Sequence, residues 1–161
     1  RSYTGDPMDA TLGKEYAYSQ IERGVDIIYA AAYLAGVGVY EACDESNILS
    51  IGVDLDQCWM YPDSMVASML KNIGTGLILF LKNFVEGEIE PGSLYIFGTE
   101  VVGLCGMGMG GCASEVAKEL VTTEIRDNIE AVSNKIIAGE IKVPGAFDWD
   151  SFEEMGKKLS Q

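Results

Sequence analysis

The reading of the fold turns on Ser50-Ile51-Gly52-Val53-Asp54-Leu55-Asp56-Gln57, a short apolar run that ends in two carboxylates spaced two apart. An apolar run of this length reads as a buried strand, and in open α/β sheets ligands gather at the carboxyl ends of such strands. Asp54 stands at that end. Side chains alternate across a strand, so Asp54 and Asp56 share a face if the strand continues. A turn after Asp54 separates them.

Upstream, Val25-Asp-Ile-Ile-Tyr-Ala-Ala31 is a second β-rich apolar run, and Gly36-Val-Gly38 opens a helix to about Glu45. Asn47 begins the link back to the Ile48–Val53 strand. Before these, residues 1–5 read as the end of a strand whose start is cut away. Asp6-Pro-Met-Asp9 is turn chemistry leading into a helix from Ala10 to Arg23, stopped by Gly24. Strand, helix and strand at these spacings are the βαβ pattern of a parallel sheet. The fold class is therefore α/β, a mainly parallel sheet flanked by helices in an α/β/α arrangement.

Downstream, Cys58–Asp63 reads as a loop, Met65–Leu70 as a strand and Ile73–Val85 as a helix. That helix carries Ile73, Leu77, Phe80, Leu81, Phe84 and Val85 on one face, with Ile78 and Leu79 outside it. Apolar nearly all round, it demands burial on more than one side. Ser93–Phe97 reads as a further strand, and Gly103–Gly111 as too glycine-rich for a regular element. Thr123 is the expected N-cap of a helix to Ala138, with Ile125, Ile129, Val132 and Ile136 as its core face. Pro144–Gln161 reads as an amphipathic tail packing back on the body.

Composition narrows the function. The 161 residues hold 25 Asp plus Glu against 11 Lys plus Arg, a net charge of −14. That sign argues against nucleic acid or anionic lipid as the main partner. The absence of histidine removes His-based acid–base catalysis and His metal ligands. The cysteines Cys43, Cys58, Cys105 and Cys112 form no CxxC pair. They read mainly as partly buried free thiols, with a Cys105–Cys112 bridge as the alternative.

On the residues alone, Asp54 and Asp56 admit three readings. A DxD at a strand end can hold Mg²⁺ and supply an aspartyl nucleophile for a phosphohydrolase. Here Gln57-Cys58-Trp59 follows, where such sites usually continue with Gly or Thr. A carboxylate at a sheet's carboxyl edge can equally accept hydrogen bonds from two sugar hydroxyls. The third reading is a strand-end Asp that caps a loop. Lys71, at the end of the next strand, is placed to reach a polar ligand. Tyr29, Tyr33 and Tyr40, with Trp59 and Tyr61, cluster in or near loops where aromatics can sandwich a planar ligand or simply pack.

The order of motifs adds a resemblance. Asp6-Pro7 through Gly13-Lys14, Gly24-Val-Asp-Ile-Ile-Tyr-Ala-Ala31 and Gly36-Val-Gly-Val-Tyr40 come first. Ile51-Gly-Val-Asp-Leu-Asp-Gln57, Ser68-Met-Leu-Lys71 and Ile136-Ile-Ala-Gly-Glu-Ile-Lys-Val-Pro144 follow. Together, over about Tyr3 to Pro144, they resemble the basic membrane protein family of PnrA-like substrate-binding lipoproteins.

The resemblance implies a lobe of a type I periplasmic binding protein. Two such lobes close over a nucleoside, purine by preference, and dock on an ABC permease. It implies an extracytoplasmic protein held by a lipid anchor outside this chain, without enzymatic activity or cofactor. By the same resemblance, Asp54 holds ribose hydroxyls, Lys71 reaches the nucleoside and Tyr29 stacks on the base. Gly36, Tyr33 and Asp56 complete the candidate site. Tyr33-Leu34-Ala35-Gly36 stands where the family has Gly-Gly-Thr-Gly, which alters the pocket. The resemblance covers only the C-terminal half of such a protein, with about residues 64–88 belonging to the other lobe. In the isolated chain, apolar surface around Ile78 and Leu79 is expected to be exposed and covered by a second copy. A ligand-sensing regulator on the same fold is the remaining alternative.

Overall fold

The computed structural model describes residues 2–92, 95, 98, 105–107 and 115–143. In chain order the elements are α1 (Ala10–Ile21), β1 (Ile27–Tyr29), α2 (Ala35–Glu45), β2 (Leu49–Gly52), β3 (Met65–Lys71), α3 (Ile73–Val85), β4 (Cys105–Met107), α4 (Glu115–Leu120) and α5 (Thr123–Ile137). The strands form one sheet in the order β1-β2-β3-β4. β1 to β3 run parallel, and β4 pairs antiparallel with β3. The carboxyl ends of β1, β2 and β3 therefore lie along one edge.

Local chemistry starts and stops the first helix. The Asp9 carboxylate accepts the Leu12 N–H at 3.0 Å, satisfying a donor that the first turn leaves free. Beyond its far end, Gly24 takes φ +85°, which glycine adopts without a Cβ clash. α2 lacks a side-chain cap. Its first N–H, on Ala35, instead donates to the Pro7 carbonyl at 2.9 Å, which ties the turn before α1 to the start of α2.

Glycine also sets how closely these helices approach. A Cβ on Gly13 would overlap the Ala35 carbonyl, and one on Gly38 would overlap the Ala10 carbonyl. Backbone therefore packs on backbone at the α1–α2 crossing. Across the same crossing, Lys14 bridges Glu41 and Glu45 at 3.1 and 2.9 Å, and the Tyr18 hydroxyl donates to Glu45. Below it lies the core: Ala17, Ile28, Ala30, Val39, Tyr40, Ala42, Cys43, Cys58, Met65 and Ala117. Tyr40 and Met65 are its largest fully buried side chains.

Several expectations need correction. Ser2 to Gly5 are not paired in the sheet, so the strand expected there is not formed among the described residues. β4 falls inside the glycine-rich stretch expected to be irregular, because pairing with Met69, Leu70 and Lys71 overrides the local glycine penalty. The cap of α5 is Thr122, not Thr123: its backbone is extended and its hydroxyl accepts the Ile125 N–H at 3.3 Å. α4 was not anticipated.

The expected core face of α5 is not buried; Ile125 and Val132 are exposed. On α3 only Gly76 is buried, and Ile78 is 69% exposed with Leu79 half-buried. Among the cysteines, Cys43 is free but fully buried, and burial pushes its thiol up to about 11. Cys58 is disulfide-bonded rather than free. The Cys105–Cys112 pairing, the Ser93–Phe97 strand apart from Tyr95, and the Pro144–Gln161 tail fall outside the described residues.

Candidate ligand site at the carboxyl edge of the sheet

Two residues past the end of β2 the chain turns at Asp54, which takes φ +67°. Left-handed backbone is uncommon outside glycine, although Asp and Asn tolerate it better than other residues. The turn separates the two aspartates. Asp56 folds back so that its carboxylate accepts the Cys58 N–H at 3.1 Å, closing the loop. Asp54 is exposed, and among the described residues its carboxylate accepts no hydrogen bond and joins no ion pair.

Lys71 ends β3 directly beside it: the Lys71 N–H donates to the Asp54 carbonyl at 2.9 Å. Its side chain is exposed and makes no ion pair among the described residues. A carboxylate and an ammonium thus project from adjacent strand ends without an internal partner. Tyr29, the last residue of β1, is the third member. Its phenol is shifted upward, first by desolvation and then by the charge of Asp54, which places the ring within electrostatic range of that carboxylate. About half of its surface is open.

The other candidates are placed differently. Tyr33 lies in the turn between β1 and α2 at φ +53°, with 67% of its surface exposed. Gly36 is buried in the first turn of α2, where a Cβ would meet the Ala30 carbonyl and the Tyr40 hydroxyl, each at 3.4 Å. Tyr40, grouped above with the loop aromatics, is a core residue, 1% exposed. Burial, together with the nearby Tyr29 and Asp54, pushes its phenol up to about 12. Trp59 and Leu55 are both largely exposed in the loop that follows Asp54.

Beside Tyr29 lies a cavity of about 300 Å³, bounded by Tyr3, Tyr16, Gln20 and Ala30 to Ala32. Neither Asp54 nor Lys71 lines it, so the cavity and the polar pair are separate features that share Tyr29. Among the described residues, no group of three or more acidic or cysteine side chains converges as a metal site would require. Sequence reasoning passed over Gln57, which is half-buried under this edge and whose side-chain oxygen accepts two hydrogen bonds. Its place in the Asp-x-Asp-Gln run was the only signal.

A family model described as "ABC transporter substrate-binding protein PnrA-like" matches residues 1–146. The chain belongs to this family. Among its relatives are basic membrane protein A2 of Borrelia garinii subsp. bavariensis, 31% identical over 159 residues, and basic membrane protein D of Borreliella burgdorferi, 33% identical over 144. These alignments cover 97% and 88% of this chain but 44% and 41% of the relatives. The chain spans less than half the length of the curated relatives it matches.

Solved structures share the fold. An ABC transporter solute-binding protein from Aeropyrum pernix K1 superposes with a TM-score of 0.76 at 25% identity, over 99% of this chain and 51% of that one. A structure titled as a transcriptional activator of the comK gene from Bacillus halodurans gives a TM-score of 0.71, also at 25% identity, over 89% and 47%. The chain thus has the α/β architecture of a solute-binding lobe. Among the described residues, no helix is long and apolar enough to cross a membrane.

Proposed function

We propose that this chain supplies one wall of a solute site in an ABC transporter binding protein. The solute is a nucleoside, purine by preference, and the wall is built from Asp54, Lys71 and Tyr29. One observation carries the reading. Asp54 and Lys71 are joined through their main chains at 2.9 Å, yet their charged ends have no partner among the described residues. Vicinal hydroxyls of a ribose suit such a carboxylate, because charge-assisted hydrogen bonds are the stronger kind. The ammonium suits an oxygen of the ligand, and the open face of Tyr29 suits a base. Tyr33 and Leu34, both exposed beside this edge, narrow the pocket and tune which base it takes.

In this reading a second lobe closes the cleft and the closed form docks on a permease. The protein works outside the cytoplasm, held to the membrane by a lipid anchor and catalysing nothing. The disulfide at Cys58 suits an oxidising compartment. The exposed apolar face of α3 is covered by the second lobe, or by a second copy when the chain stands alone. A Mg²⁺-dependent phosphohydrolase is the weaker alternative, since Asp56 turns back onto Cys58 instead of facing a shared ion with Asp54.

A ligand-sensing regulator is favoured by one observation, the likeness to the structure titled as a transcriptional activator. Isothermal titration of the full-length protein with adenosine, inosine and guanosine tests the main reading. Saturable binding of at least one is expected. Heat from another class of solute, and none from nucleosides, would overturn the ligand while leaving the binding-protein fold intact.

A further inference from the structure

Asp54 holds a backbone conformation that aspartate adopts at some cost, so the surrounding structure must impose it. The main chain on either side is fixed. Behind Asp54, the Val53 N–H donates to Gln57 Oε1 at 3.0 Å; ahead of it, the Asp54 carbonyl receives the Lys71 N–H. The donor on Val53 settles the orientation of the Gln57 amide, since only its oxygen can accept. That same oxygen lies 3.1 Å from the Tyr40 hydroxyl. Tyr40 has one proton and two acceptors in reach, the other being the Ala30 carbonyl at the longer distance of 3.3 Å.

The Gln57 main chain is held as well, its N–H donating to Ser68 Oγ on β3 at 3.0 Å. Space for this arrangement comes from Gly52. A Cβ there would stand 2.7 Å from Gln57 Oε1 and 2.8 Å from Ser68 Oγ. Gln57 thus links α2, the end of β2 and β3 at a single half-buried point.

We infer that Gln57 is a positioning residue: its side-chain oxygen, held by Tyr40, fixes the backbone at Val53 and so aims the Asp54 carboxylate at the solute. The inference rests on the reading that Asp54 is a ligand residue. It assigns Gln57 no contact with solute. Its effect on affinity must then pass entirely through Asp54, which a residue that merely stabilises the fold would not show.

The test is a double-mutant cycle in the full-length protein, with inosine as the probe in calorimetric titration. Gln57→Met keeps the length and bulk of the side chain and removes the acceptor. It should weaken inosine binding about ten-fold, the scale expected when a buried N–H loses its partner. In the Asp54→Asn background the same change should cost almost nothing. Tyr40→Phe, which removes one hydroxyl, should give a smaller loss with the same coupling, and carries the test if Gln57→Met does not fold. Wild-type affinity in Gln57→Met, or losses that add to that of Asp54→Asn, would overturn the inference. If the wild-type protein takes up no inosine, the nucleoside reading fails separately. Amide exchange at Val53 and Lys71 then decides, with faster exchange in Gln57→Met supporting the positioning role and unchanged exchange refuting it.

Discussion

From α1 to β3 the chain closes on itself, whereas α3 and α5 turn most of their apolar side chains to solvent. In the first region two glycines let α1 and α2 touch backbone to backbone, and Tyr40, Cys43, Cys58 and Met65 are fully buried. In the second, α5 has no buried residue and α3 has only Gly76, although Leu77, Ile78, Leu81, Phe84 and Val85 are all large and apolar. Both regions are rich in hydrophobic residues, so composition does not separate them. What separates them is burial: the apolar side chains of the first region pack on one another, and most of those on α3 and α5 do not. The first region is a finished structural unit that carries the candidate site at its edge. The second presents an exposed apolar surface, which the proposed function assigns to a partner lobe.

Substitutions that should act differently in the two regions put this contrast at risk. Met65→Ala removes a fully buried side chain and should destabilise the isolated chain by about 2–5 kcal/mol in denaturant unfolding. Phe84→Ala, of similar chemistry on the exposed face of α3, should change it by less than about 1 kcal/mol. Equal losses would mean that α3 is covered after all. Glycine gives a second pair. Gly38→Ala drives a methyl into the Ala10 carbonyl and should cost roughly 1–3 kcal/mol. Gly74→Ala, in α3 with open space around it, should instead stabilise by up to about 1 kcal/mol through helix propensity.

The smallest effect is expected at the surface clasp between α1 and α2. The carboxyl of Glu45 is held below the usual range, first by the Tyr18 hydroxyl and then by Lys14, while Lys14 is held above its usual 10.5. A depressed carboxylate contributes stability above its unfolded pKa, and that contribution fades as pH falls through the folded value. Lys14 contributes below its unfolded pKa, and its share fades as pH rises beyond it. Glu45→Gln should therefore melt slightly below wild type near neutrality, and the gap should close in acid. A gap that widens as the pH is lowered would contradict the assignment.

Much of the closed region could be read from the sequence because its signals are local. Apolar runs, the turn at Asp6 to Asp9 and Gly24 as a stop place α1, β1, α2, β2 and β3 within a few residues of where they lie. α3 lies at the limits its sequence indicates, and the apolar surface expected to be exposed around Ile78 is exposed. What escaped depends on pairing across distance. β4 is glycine-rich and gains its strand geometry only opposite Met69 to Lys71. The bond at Cys58 and the depth of Tyr40 also arise from tertiary packing, which spacing alone does not encode. At the site, the sequence brought forward Asp54, Lys71 and Tyr29 but could not say whether a turn would part Asp54 from Asp56. The left-handed backbone at Asp54 parts them, and Gln57 beneath it was missed because it reads as an ordinary loop residue.

The inequality of those two aspartates is the most direct point of attack. Asp54→Asn keeps a residue that tolerates φ +67° and removes the charge, whereas Asp56→Asn keeps the oxygen that accepts from Cys58. Titrating the full-length protein and both variants with inosine, we expect Asp54→Asn to weaken binding by roughly 100-fold, the equivalent of about 3 kcal/mol. Asp56→Asn should stay within a few-fold of wild type. Equal losses at the two positions, or a larger loss at Asp56, would contradict a site in which Asp54, and not Asp56, meets the solute.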